Sequence, residues 1–198
     1  MNKLTGLLFC LLCQQAVFAT ETNPEELIRQ TADQLLTQIQ TNSEEYRQDS
    51  NKLYALVEEV VLPHFDFDTM IDLALGSYKN KVSDEQRPLI IVEFRVLLVR
   101  TYGKALLEYN DQTIIYLPTE GAIEGGDVTV KTEIEQEGGF PIPMNYSLKQ
   151  SKQGWKVYDI SVDDISLVTN YRSSFARQIK KNGVDGLIKT LRDRNMEL

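Results

Sequence analysis

Groups that carry redox and metal chemistry are nearly absent from this chain. Its 198 residues include two cysteines and one histidine, and both cysteines, Cys10 and Cys13, lie near the N-terminus. Lys3, the apolar run 4–12 and the small residue Ala19 form the pattern of a secretory signal peptide, which predicts cleavage after Ala19. The remaining 179 residues contain no thiol, so an exported protein of this sequence must be stabilised by its own core.

Long hydrophobic runs are also missing. After the leader, no stretch reaches the roughly 18 apolar residues that a membrane-spanning helix needs. A lipid-modified cysteine requires a small residue directly before it, whereas Leu12 precedes Cys13 and Phe9 precedes Cys10. The sequence therefore favours release into the periplasm over a lipoprotein, and it predicts a signal peptide over residues 1–19 and a single domain over residues 20–198.

Basic charge is scarce and unevenly distributed. The formal net charge of the chain is −8 at pH 7. Residues 20–95 carry −8, residues 96–171 carry −5 and residues 172–198 carry +4. Nucleic acid is excluded as a partner, because binding the phosphate backbone requires a basic face. The basic C-terminal segment either orients the protein at an anionic surface or forms a solvated helix face.

Catalytic and metal-binding patterns are missing as well. His64 is the only histidine, so zinc sites built from histidine and cysteine are excluded by count. A Ser-His-Asp triad would need His64, and no serine lies in a nucleophile-elbow pattern of glycines. The glycine pairs at 125–126 and 138–139 lack the following helix of a phosphate-binding loop. The sequence predicts no metal, no cofactor and no catalytic residue, with His64 in a structural role.

Three carboxylates leave one enzyme alternative open. Asp159, Asp163 and Asp164 lie near the end of the predicted fourth strand, where an acid–base pair is conceivable. The competing interpretation is structural: Asp163 or Asp164 caps the next helix, and Asp159 holds a loop or a nearby arginine.

Hydrophobic periodicity divides the chain into three parts. Helical spacing extends to about residue 108, and the first helix is predicted to begin at Asn23 with a capping box to Glu26. Alternating spacing over 113–162 predicts about four short strands, which pair most simply as an antiparallel meander. Helical spacing returns over 166–194, with Gly183 as a stop and Asp185 as the cap of a last helix. These patterns predict an α+β fold with helices packed against a sheet.

Apolar residues exceed what one packed face per element requires. The long helix that ends near residue 108 and the run 160–168 are the clearest cases. Nine tyrosines suit mixed environments, because a tyrosine can line an apolar cavity while its hydroxyl meets water. Composition fits a solid core as well as a ligand cavity.

A longer pattern resembles a known family. Residues 155–160 read Trp-Lys-Val-Tyr-Asp-Ile, and residues 165–175 read Ile-Ser-Leu-Val-Thr-Asn-Tyr-Arg-Ser-Ser-Phe. Together they closely resemble the MlaC family of periplasmic phospholipid-binding proteins, also called the toluene-tolerance family, and residues 183–188 are similar to its C-terminal element. Two positions depart from the family pattern: Asp164 stands at a usual glycine, and Tyr78-Lys79 stand where a tryptophan is usual.

The resemblance implies a fold, a cargo and partners. The fold is an NTF2-like curved antiparallel sheet covered by helices, with an added N-terminal helical part over about 20–108. The cargo is a phospholipid whose tails occupy an apolar cavity while the protein moves between the outer and inner membranes and so maintains outer-membrane asymmetry. The partners are an inner-membrane ABC transporter complex with an MCE-domain subunit and an outer-membrane lipoprotein–porin complex.

The resemblance and the apolar surplus together suggest which side chains line that cavity. The predicted lining residues are Phe94, Leu97, Leu98, Tyr102, Val130, Met144, Tyr146, Val157, Ile160, Val162, Leu167, Val168, Tyr171 and Phe175. Tyr171 is expected at the cavity mouth, and Arg172 is expected to pair with a carboxylate such as Asp159 or to contact a head group. Two alternatives remain: a small enzyme that uses Asp159 and a pocket tyrosine, and a periplasmic chaperone or adaptor without a small ligand.

Overall fold

A computed structural model describes residues 23–108, 112–118, 126–136 and 138–198. The predicted signal peptide lies outside these residues. Six α-helices are α1 (Pro24–Thr41), α2 (Ser43–Gln48), α3 (Ser50–Val60), α4 (Phe67–Leu75), α5 (Gln86–Gly103) and α6 (Leu167–Glu197). Short 3₁₀ turns occupy Leu62–His64, Gly76–Lys81 and Lys104–Glu108. Among the described residues, no helix combines the length and apolarity needed to cross a bilayer.

Five strands form one antiparallel sheet in sequence order. They are β1 (Thr113–Tyr116), β2 (Asp127–Glu135), β3 (Ile142–Ser151), β4 (Gly154–Val162) and β5 (Ile165–Ser166). The predicted α+β class and meander are confirmed, and the two-residue β5 is an addition that periodicity does not reveal because so short a strand has no repeat. A bulge between Ser147 and Leu148 shifts the register of β3 against β4.

Helix starts follow the capping rules in most places. The Asn23 side chain accepts a hydrogen bond from the Glu25 amide at the start of α1, rather than forming the predicted box with Glu26. The prediction that Asp163 or Asp164 caps the last long helix is wrong. Ser166 is the N-cap of α6, because its hydroxyl accepts from the Thr169 amide, three residues into the turn.

The turn between β4 and β5 explains the unusual Asp164. Val162 pairs with Ile165, so Asp163 and Asp164 alone form the loop. Their φ angles are 51° and 60°, which is the left-handed region required at both positions of a type I′ hairpin turn. A glycine would adopt this conformation at lower cost, because it has no Cβ.

The predicted stop within the C-terminal helical region is confirmed. Gly183 has φ 71° and ψ −176° inside α6, a conformation open essentially only to glycine. Helical structure resumes directly after it. Asp185 was predicted to cap a separate last helix. Instead, its carboxylate accepts a hydrogen bond from the side-chain amide of Gln86 at the start of α5.

Apolar side chains form two clusters rather than one. The larger, which we call the helical cluster, lies between α3, α4, α5, α6 and the C-terminal half of α1, and Phe94, Leu53 and Met70 at its centre are fully buried. The smaller, the sheet cluster, consists of Ile28, Val130, Leu148, Trp155 and Val157. Phe65 packs against both clusters and so marks the junction between the sheet and the helices.

Candidate functional site

One face of the sheet is largely apolar, with the buried Thr132 on β2 and Gln150 near the end of β3 as its polar members. Successive strand residues point to opposite faces, and the cross-strand pairs Val130 with Tyr146, Tyr146 with Ile160 and Leu148 with Val157 place these side chains on the same face. The N-terminal half of α1 covers part of this face through Leu27 and Ile28. We call the space between this face and α1 the seam.

Cover of the apolar face decreases towards one end of the sheet. Val130 and Leu148 are 0% exposed beneath α1. Ile142 and Met144 at the start of β3 are half-buried. Val162 and Ile165, which pair with each other at the β4–β5 turn, are 42% and 65% exposed. The apolar face therefore continues beyond the part that the fold buries, which is the geometry of an apolar site with an open end.

Two tyrosines line the seam. Burial raises the pKa of the Tyr146 hydroxyl, and the neighbouring Tyr116 raises it further. The Tyr146 hydroxyl lies 3.3 Å from the sulfur of Met144, a weak acceptor. The guanidinium of Arg29 on α1 stacks 3.7 Å from the centre of the Tyr116 ring. The seam thus combines apolar side chains with the half-buried Tyr146 and has a cation at its α1 side.

The structure separates the fourteen predicted lining residues. Val130, Tyr146, Val157 and Ile160 belong to or pack against the sheet cluster. Met144 and Val162 continue the same face towards its open end. The remaining eight lie away from the seam: Phe94, Leu97, Leu98, Val168, Tyr171 and Phe175 are buried in the helical cluster, Leu167 packs against it, and Tyr102 is 44% exposed on α5.

Tyr171 lies in the helical cluster rather than at an opening. Its ring packs edge-on against Phe94 with centroids 5.1 Å apart, and the residue is 8% exposed. Burial, with the neighbouring Tyr102 hydroxyl, raises the pKa of Tyr171 to about 12. The expected ion pair between Arg172 and Asp159 is wrong, because the Arg172 Nε donates to the Leu73 carbonyl on α4 at 2.7 Å.

Sequence reasoning missed several seam residues. The sheet cluster also includes Leu148 and Trp155, and Leu27, Phe65, Tyr116 and Val128 pack against it. The alternation of apolar residues that selected Val130 and Tyr146 also places Val128 and Leu148 on the same face. The sequence pattern was therefore enough to predict these two residues. No periodicity could assign Phe65, because it lies in a short connection and reaches the sheet by a bridge to Val157.

Of the three carboxylates near the fourth strand, Asp159 has structural partners, whereas Asp163 and Asp164 are exposed in the β4–β5 turn. Asp159 accepts hydrogen bonds from the Ile160 and Val168 amides and from the Ser166 hydroxyl, so it ties β4 to the first turn of α6. A carboxylate with three donors is poorly suited to act as a general base. Among the described residues, no group of three or more His, Cys, Asp or Glu side chains could hold a metal ion.

His64 and a surface cleft adjoin the junction at Phe65. Partial burial lowers the pKa of His64, and the nearby Lys156 ammonium lowers it further. A cleft of about 480 Å³ lies beside it, with Leu62, Phe65 and Phe67 on its apolar side and Arg95 and Lys156 among its charged groups.

Comparisons with known proteins agree with this architecture. A family model described as MlaC protein matches residues 29–193. The chain is 29% identical over 187 residues to toluene tolerance protein ttg2D of Pseudomonas putida, covering 94% of this chain and 86% of the relative. It is 32% identical over 191 residues to the intermembrane phospholipid transport system binding protein MlaC of Haemophilus influenzae, covering 93% and 87%.

A solved structure shares the fold. The phospholipid-binding protein from Ralstonia solanacearum, solved in complex with a phospholipid, superposes with a TM-score of 0.81 at 31% identity. The match covers 87% of this chain and 97% of that chain. The meander, the helical cover and the matches across most of the chain together show that this chain belongs to the MlaC family.

Proposed function

We propose that this protein is a periplasmic phospholipid carrier that holds acyl tails in the seam between α1 and the apolar face of the sheet. The observation that carries the proposal is the largely apolar face of the sheet, which is buried at Val130 and Leu148 and exposed at Val162 and Ile165. Family membership supports it, since one relative is named as a phospholipid transport binding protein and a similar structure contains a phospholipid.

The energetics require such a seam. Each buried CH2 contributes about 0.8 kcal/mol, so two tails with roughly 30 such groups lose on the order of 20 kcal/mol if they enter water. A carrier must therefore offer an apolar surface nearly as favourable as the bilayer. Extraction and delivery then become nearly balanced exchanges while the head group stays hydrated.

Displacement of the N-terminal half of α1 opens the seam, while Leu35 and Ile39 hold its C-terminal half in the helical cluster. Three residues of α1 cover the apolar face of the sheet: Ile28 is buried against it, and Leu27 and Arg29 lie beside Ile28. Exposing a fully buried isoleucine costs about 1.5–3 kcal/mol, far less than two buried tails contribute. Loading with phospholipid is therefore expected to change hydrogen exchange in the first turns of α1 more than in α5.

The finer functional assignments rest on the family. We infer a periplasmic location after removal of the leader, and transfer between the outer and inner membranes. The docking partners we infer are an inner-membrane ABC transporter complex with an MCE-domain subunit and an outer-membrane lipoprotein–porin complex. Family membership supports a carrier rather than an enzyme, and the three donors on Asp159 agree with a structural role for that residue.

Native mass spectrometry of protein purified without detergent tests whether this protein carries phospholipid. We expect a protein mass increased by that of a phospholipid, and organic extraction should release the same lipid. Lipid-free protein that also takes no labelled phospholipid from vesicles would refute the proposal. Capture of unfolded proteins without lipid would instead favour the chaperone alternative.

A further inference from the structure

A cationic surface covers the first half of α6. Arg172, Arg177, Lys180 and Lys181 are all exposed, while Val168, Tyr171, Phe175 and Ile179 on the opposite side of the helix enter the helical cluster. Residues 166–182 contain no aspartate or glutamate. At 100° per residue, Arg177, Lys180 and Lys181 fall on the half of the helix that faces away from the core, whereas Arg172 lies on the flank beside α4, where its Nε donates to the Leu73 carbonyl.

The neighbouring 3₁₀ turn extends this surface. Gly76–Lys81 packs on α6, since a Cβ at Gly76 would lie 3.4 Å from the Arg172 side chain. Lys79 and Lys81 are exposed, and the turn contains no carboxylate. We call the six cations of the turn and of α6 the basic face.

The basic face is not neutralised from within the protein. Across the described parts of the chain, no carboxylate forms an ion pair with any of the six cations. Of the acidic groups near in sequence, Asp72 pairs with Arg87, Glu85 accepts from the Ser83 hydroxyl and Asp185 accepts from Gln86, while Asp84 is exposed three residues after Lys81. The cations of the basic face repel one another, and an anionic surface that faces them would relieve this repulsion.

We propose that the basic face docks on the surface of an anionic phospholipid bilayer. The exposed residues between its cations are polar, and its one aromatic side chain, Tyr78, is half-buried beneath Lys81, so it presents no exposed apolar or aromatic anchor; these polar residues are Ser77, Asn80, Thr169, Asn170, Ser173 and Ser174. Protein interfaces are enriched in aromatics and depleted of lysine, whereas clusters of four to eight cations are typical of contact with anionic lipid head groups. These features favour a bilayer over an acidic protein as the occupant.

Docking in this orientation serves the proposed carrier function, on which this inference rests. The helix begins directly after the exposed Ile165 at the open end of the apolar face, and Arg172 follows within about 8 Å along the helix axis. Asp163 and Asp164 form the turn between β4 and β5 and are exposed, so contact with an anionic bilayer is expected along α6 rather than through this turn. At a Debye length of about 8–10 Å, the remaining carboxylates of the body are largely screened from the bilayer.

Vesicle flotation with charge-matched variants tests the docking. Wild-type protein should float with vesicles of phosphatidylcholine and phosphatidylglycerol, not with phosphatidylcholine alone, and salt should release it. Because each basic residue contributes about 1 kcal/mol at an anionic surface, the triple variant Arg177→Gln/Lys180→Gln/Lys181→Gln should bind roughly 150-fold more weakly at about 0.1 M ionic strength, where the acidic body is screened.

The matched control removes the same charge elsewhere. Lys104→Gln/Lys131→Gln/Lys152→Gln replaces three exposed lysines outside the basic face and should retain most of the binding. Equal loss in both triple variants, or no binding of wild-type protein to anionic vesicles, would overturn the docking. Phospholipid content, measured on the same samples by mass spectrometry, tests the carrier function independently of docking. None of the residues replaced in the two triple variants lines the seam.

Discussion

Ile160 offers the sharpest test of where lipid tails lie. Its side chain packs against the sheet cluster opposite Tyr146 and is half-buried, between the closed and the open parts of the apolar face. We expect Ile160→Asp to place a carboxylate against the acyl tails of bound lipid while leaving it hydrated in the empty protein.

The empty and the lipid-loaded protein should therefore respond differently to Ile160→Asp. In the empty protein, loss of a half-buried isoleucine should lower the free energy of unfolding by about 1–2 kcal/mol. In the loaded protein, an unpaired carboxylate in an apolar site costs several kcal/mol, so a penalty of about 3 kcal/mol predicts roughly 150-fold weaker phospholipid binding. The same substitution at Leu98, which also was expected to line the cavity, should unfold the protein because Leu98 is buried in the helical cluster.

The assay compares phospholipid uptake from vesicles with denaturant unfolding of the same samples. Ile160→Asn removes the isoleucine side chain without adding a charge, so it separates the effect of the carboxylate from the loss of packing. This variant should bind lipid more tightly than Ile160→Asp. Val92→Asp is the matched control, since Val92 is 55% exposed on α5 and distant from the seam. Ile160→Asp protein with wild-type lipid content would refute the reasoning and place the tails elsewhere.

Two further predictions concern stability. Asp164→Gly should raise the free energy of unfolding by about 0.5–1 kcal/mol, because φ is 60° at that position; urea unfolding that shows no gain would contradict this explanation of the turn. Burial alone would raise the pKa of Asp66, but hydrogen bonds from Lys149 and from the Thr69 amide and hydroxyl lower it below the usual 3.8. The stabilisation by Asp66 is thus present above about pH 4 and lost as pH falls through its lowered pKa. Asp66→Asn should cost about 1–2 kcal/mol at pH 7 and much less near pH 2, and an equal cost at both pH values would contradict the ionic contribution.

Local patterns were sufficient for the four longer strands and for the class of fold. Alternation over 113–162 predicted the strands because side chains of a strand face opposite sides regardless of what packs on them. Asn23 and Gly183 marked a helix start and a helix break for reasons local to the chain. Family membership also followed from the chain itself, because residues 155–175 carry a specific pattern.

Only the tertiary structure decided which apolar residues face the seam. Phe94, Tyr171 and Val130 all read as buried apolar positions, yet the first two pack in the helical cluster and the third in the sheet cluster. Periodicity reports that a face is buried but not which element covers it, because burial is a sum over contacts distant in sequence. The amino-acid sequence thus determined the elements, the acidic body and the basic segment, and packing determined the site.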